Sequence, residues 1–246
     1  PMPIEWLTPE ILTLAITAAT IGIVHTAIGP DHYLPFVVLG KARQWTTRKT
    51  AMITLLCGVV HVAGSVLLGA IGVAAGLALR QLEWLEGMRG DLAAWKLLAF
   101  GLIYFVWALR RSARAHVHTH AHVHANGQVH THEHDHSREH LHVHATEQQR
   151  FVPWALFLIF AFGPCEALIP LLMYPAAAAN WPGAVFVTGV FAIATLITML
   201  SLVLVTSWGL GRLAGGHNTV SFMSRHSHAF AGAAIVMCAT LMLVGL

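Results

Sequence analysis

ILTLAITAATIGIVHTAIGPDHYLPFVVLG, residues Ile11 to Gly40, runs for thirty residues with His25, Asp31 and His32 as its only acidic or imidazole side chains. As one straight helix it would be about 45 Å long, well beyond the roughly 30 Å hydrocarbon core of a bilayer. A broken transmembrane helix resolves the excess. Gly29-Pro30 and Pro35 supply the break, because proline lacks a backbone donor and clashes with the preceding turn.

The rest of the chain agrees with a membrane setting. Of 246 residues, 56% are apolar and 10% charged, against about 25% charged in an average soluble domain. That charge is too sparse for a water-facing surface, and it collects between apolar stretches at 10–40, 51–79, 93–109, 152–177, 183–211 and 227–246. The expectation is an all-α polytopic membrane protein of six transmembrane helices, in contact with the lipid bilayer along its length. The basic balance then belongs to loops facing an anionic membrane surface, and no nucleic-acid partner is expected. PMPIEWLTPE has no cationic segment ahead of the first apolar run, so no cleavable leader is expected. Cys57, Cys165 and Cys238 all lie in apolar stretches, which argues against a disulfide framework.

With six spans, one set of loops carries Lys41, Arg43, Arg48, Lys49, Arg110, Arg111, Arg114, Arg138, Arg150, Arg212 and Arg225, eleven cations in all. The opposite side holds Arg80, Arg89 and Lys96, the last at the margin of the 93–109 stretch, and on this reading no Arg or Lys lies deep inside a span. Both termini are therefore expected on the periplasmic or exterior face of a bacterial cytoplasmic (inner) membrane.

The chain also echoes itself. Gly29-Pro30-Asp31-His32-Tyr33-Leu34-Pro35 is matched by Gly163-Pro164-Cys165-Glu166-Ala167-Leu168-Ile169-Pro170. Gly58 and Gly101 are matched by Gly189 and Gly232 at a constant offset of 131. This divides the chain into a three-helix repeat at 1–110, a His-rich loop at 111–150 and a second repeat at 151–246. An odd number of spans per repeat makes the two halves inverted, each opening on a broken helix, which is how many secondary transporters build a midplane site.

Ionisable side chains within such stretches are costly unless they face a partner or a cavity. His25, Asp31, His32, His61, Cys165 and Glu166 are the candidate metal ligands. Imidazole and carboxylate, with a thiolate in reach, suit nickel, cobalt, zinc or copper better than magnesium or calcium. Cys57 lies four residues before His61 and so shares its helix face. A second concentration lies between the repeats, where twelve of the eighteen histidines fall: His116, His118, His120, His122, His124, His130, His132, His134, His136, His140, His142 and His144. With almost no apolar residue to form a core, this segment is expected to be disordered without metal, cytoplasmic, and an auxiliary chelator outcompeted by protons below about pH 6.5.

His25, a gap of five residues, then Asp31-His32 resembles the histidine/aspartate signature of nickel/cobalt transporter families, which has four residues in that gap. HTAIGPDHYLPF and FGPCEALIPLLMYP together resemble more closely the urease-accessory-like and sulfite-exporter-like membrane proteins. Those are similar in architecture to the cytochrome c biogenesis thiol-disulfide transporters. The resemblance implies a six-helix inverted-repeat fold and transition-metal transport, most readily of nickel or cobalt, with a cytoplasmic metal-handling protein as a partner. Metal would be the substrate, and no organic cofactor is expected. The rival is a transporter of reducing equivalents through Cys165, which lacks a cysteine counterpart at Asp31. Export of a small anion would want a cation at depth. An enzyme is not expected: no H-E-x-x-H helix or nucleophile–base pair stands out.

Overall fold

The structure is a computed structural model, and it describes residues 6–76, 78–114, 118–123, 129–134, 146–163, 165, 167–213 and 219–244. Helix α1 spans Pro9–Ile28, capped by Thr8, whose hydroxyl accepts the Ile11 N–H at 3.4 Å, with Pro9 in the first turn where no donor is needed. The expected break follows. Gly29 is extended, Pro30–His32 forms a single 3-10 turn, and α2 (Leu34–Ala42) resumes with Pro35 in its first turn. Helix α3 covers Thr47–Ala74 and is capped by the Thr46 side chain on the Lys49 N–H at 3.2 Å.

A second break follows later in the chain. Helix α5 (Thr146–Ala161) stops short of Gly163, and α6 (Leu168–Ala177) begins after Ala167. The long helices α7 (Trp181–Leu213) and α8 (Thr219–Leu243) complete the chain. Strands β1 (His118–Val123) and β2 (Val129–His134), within the His-rich segment, pair antiparallel with His118 opposite His134.

Among the described residues, five helices are long and apolar enough to cross a membrane: Pro9–Ile28, Thr47–Ala74, Leu79–Ser112, Trp181–Leu210 and His226–Leu243. The protein is thus an α-helical, multi-pass membrane protein. Neither α5 nor α6 reaches that length alone, because the break at 162–167 divides their apolar run.

The third span corrects the sequence reading. Helix α4 runs over Leu79–Arg114, thirty-six residues, where only 93–109 was expected. Its first turns carry Arg80, Glu83, Glu86, Arg89 and Asp91, which lower the mean hydropathy and read as loop. Yet Leu82, Glu86, Ala93, Leu97, Tyr104 and Ala108 are all buried, at steps of four and seven that mark one helical face. Arg80, Arg89 and Lys96 therefore lie inside a helix.

Helix α1 packs on α7, α2 on α8 and α5 on α3, while α6 packs chiefly on α7 and then on α3; α3 meets α7 and α4 meets α8. Small residues set the closest approaches. A Cβ on Gly101 would stand 3.0 Å from Val236, and one on Gly232 would stand 2.7 Å from the Phe105 backbone, so the α4–α8 crossing is glycine on helix from both sides. The matched pair Gly58 and Gly189 is unlike: Gly58 abuts Leu196 and Met199, whereas Gly189 has nothing within 4 Å. Outward-facing apolar residues such as Ile16, Ile103 and Val185 are at least 70% exposed, as a lipid-facing surface requires.

Candidate functional site

The first break delivers two side chains to the protein interior. Pro30 forces the chain off the α1 axis, and the 3-10 turn directs His32 inward, where it is 3% exposed. His32 Nδ1 lies 3.2 Å from Asp31 Oδ1 and 3.3 Å from the Gly29 carbonyl oxygen. Both neighbours are acceptors, so Nδ1 carries the proton and donates it. His32 Nε2 is left with its lone pair, buried and without a hydrogen-bond partner.

His25, in the last turn of α1, brings its ring to 4.8 Å from that of His32, edge to face. His61, from the middle of α3, lies 5.4 Å from His32 on the other side. His25 Nε2 and both ring nitrogens of His61 are also buried without a partner. Four unpartnered imidazole nitrogens on three adjoining rings are unusual, because buried polar atoms are nearly always bonded.

The second break closes the far side. A Cβ on Gly163 would stand 2.9 Å from His61 Nδ1, so the interrupted backbone between α5 and α6 lies directly against that ring. Glycine there lets the backbone approach. His61 thereby touches the region of both breaks.

Of the residues singled out in the sequence, His25, Asp31, His32 and His61 come together. Cys165 is fully buried nearby, in an apolar cluster with Val62 and Leu168, and its backbone N–H donates to Ser65 Oγ at 3.0 Å and Glu86 Oε2 at 3.1 Å. Cys57 is one turn from His61 but packs in a different cluster with Phe36 and Met199. The three cysteines form no disulfide. Glu166 lies outside the described residues, as do the side chains of the His-rich segment. Among the described residues, no group of three or more His, Cys, Asp or Glu side chains is placed so that it could hold a metal ion.

Sequence reasoning missed Ser65, Glu86 and Arg89. Glu86 is wholly buried, ion-paired to Arg89 one turn on, and accepts the Ser65 hydroxyl at 3.1 Å. Arg89 also donates to the Ala161 and Gly163 carbonyl oxygens at 3.3 and 3.2 Å, serving the frayed end of α5. The signal was present as Glu-x-x-Arg at helical spacing, hidden in a charged stretch taken for loop.

No protein-family model, curated protein or solved structure matches the chain.

Proposed function

We propose that this protein transports divalent transition-metal ions across a bacterial cytoplasmic membrane, with nickel or cobalt the foremost substrates. One observation carries the reading: His25, His32 and His61 gather in the apolar interior with four ring nitrogens unpartnered. Such nitrogens are costly to bury and are the donors that borderline divalent ions prefer. Asp31 completes the arrangement as an outer partner, fixing the His32 tautomer so that Nε2 points its lone pair inward.

A cycle of alternating access accounts for the rest. The packing of α1 on α7 together with α5 on α3 is the kind of pairing that two inverted repeats produce. In this reading α5 and α6 together make the sixth span. Rocking one repeat against the other moves His61 relative to the two breaks that flank it. With Arg89 held in an ion pair inside α4, the exterior side keeps still fewer loop cations, which supports termini outside and the His-rich loop in the cytoplasm. There the loop would hold metal and pass it to or from a cytoplasmic metal-handling protein.

Arg89 gives the anion-export reading the cation at depth that the sequence lacked. Its guanidinium, however, is engaged by Glu86 and two carbonyl oxygens. Cys57 and Cys165 sit in separate clusters, which disfavours exchange between them.

The test is flux through the full chain in proteoliposomes, screened with nickel, cobalt, zinc and copper. Transport lost in His25→Ala, His32→Ala and His61→Ala identifies the site and its ion. A wild-type protein that moves none of the four, yet is trapped in mixed disulfides at Cys165, overturns the reading in favour of redox transport.

A further inference from the structure

Helix α3 has a property that the histidine cluster does not use. Its buried side chains Thr50, Thr54, Cys57, His61 and Ser65 follow one another at steps of four, three, four and four. At 100° per residue they lie within an arc of about 80°, and they extend for about 22 Å along the helix. A polar line of that length, facing inward in an otherwise apolar bundle, spans most of a bilayer core. His61 stands one turn short of its Ser65 end. The Thr54 hydroxyl, between Thr50 and Cys57, is buried with no hydrogen-bond partner.

Glu86 closes the line beyond Ser65. Its carboxylate is fully buried and accepts from Ser65 Oγ, from the Cys165 N–H and from Arg89. Arg89 reaches in from partial exposure, its side chain 20% accessible, and also donates to Ser65 Oγ at 3.4 Å. A carboxylate and a hydroxyl thus stand one turn from the unpartnered nitrogens of His61, with a guanidinium tethered over them.

We infer that Glu86 and Ser65 form a second cation site, in line with His61 on α3, which Arg89 fills in this structure and which an incoming divalent ion takes by displacing it. The inference rests on the transport reading above. Arg89 is a substitute cation on a flexible stem. When its guanidinium leaves, Glu86 is exposed to the ion, and the carbonyl oxygens of Ala161 and Gly163 lose their donor, loosening the α5–α6 break beside His61. Entry of the ion and release of the break become one event.

The experiment is the KM for metal uptake by the full chain in proteoliposomes, using the ion that the wild type carries. A structural ion pair makes Glu86→Gln and Arg89→Gln alike, since either leaves a buried charge unpaired. A tethered competitor makes them opposite. Arg89→Gln should lower KM and Glu86→Gln should raise it, each by about five- to tenfold, within the range of site-to-site coupling. Should either variant fail to fold, Arg89→Lys and Glu86→Asp carry the same signs with smaller shifts. Ser65→Ala, which unpairs no charge, should raise KM while leaving the maximal rate. KM shifts of the same sign for both partners, or none, overturn the inference while leaving the histidine site standing if His32→Ala still abolishes flux. A wild type that carries no metal removes both.

Discussion

His32 shows how a single side chain is prepared for chemistry by its neighbour. Asp31 accepts the Nδ1 proton at 3.2 Å, and the Gly29 carbonyl oxygen lies at 3.3 Å from the same nitrogen, so the ring can turn only one nitrogen inward. Outer partners of this kind typically contribute 10- to 100-fold to metal affinity. Asp31→Asn is therefore expected to raise the KM for the transported ion by roughly that factor while sparing the folded state. His32→Ala, by contrast, should abolish flux. Equal effects of the two substitutions would show that Asp31 binds the ion directly. At this scale the sequence was informative where a titratable side chain interrupts an apolar run: His25, Asp31, His32 and His61 stood out for that reason. Glu86 and Arg89 did not, because each sits among other charges, and only packing distinguishes a buried carboxylate from a solvated one. The sequence also cannot place Cys165, whose backbone rather than its spacing ties it to Ser65 and Glu86.

Elements were read unevenly. Gly29-Pro30 announced the first interruption, and Gly163-Pro164 the second, since their effect is local: a missing donor and a clash with the preceding turn. The start of α4 was missed because its early turns are amphipathic, and a hydropathy window averages over the buried face. The α4–α8 crossing permits a direct test of how tightly elements are fitted. A methyl on Gly232 would meet the Phe105 backbone at 2.7 Å, which no rotamer change relieves, whereas Gly189 has open space. Gly232→Ala should cost about 1–3 kcal/mol, the usual penalty for overpacking. Gly189→Ala should be neutral or slightly stabilising, as alanine is the better helix former. Thermal unfolding in detergent separates the two; equal midpoints would mean that the crossing is looser than the distances indicate.

Across the whole molecule, an exposed apolar surface surrounds an interior that is polar along one line of α3. Membrane residence was legible from composition, because ten percent charge cannot clothe a soluble body of this length. The count of spans was less so: among the described residues five helices have the length, and α5 and α6 are each too short singly. The closed ends of the α3 line have a consequence for the cell that houses the protein. Thr50 is 6% exposed, Ser65 1% and Glu86 not at all, so both ends of the line are shut off from solvent. On the proposed transport function, the bilayer should remain an electrical insulator around the idle protein. Vesicles bearing the protein without metal should hold an imposed pH gradient as long as protein-free vesicles do, followed with an entrapped pH dye; faster decay would reveal an open wire. A cell could then keep many copies in the membrane that stores its voltage, and lose none of that stored energy while they wait.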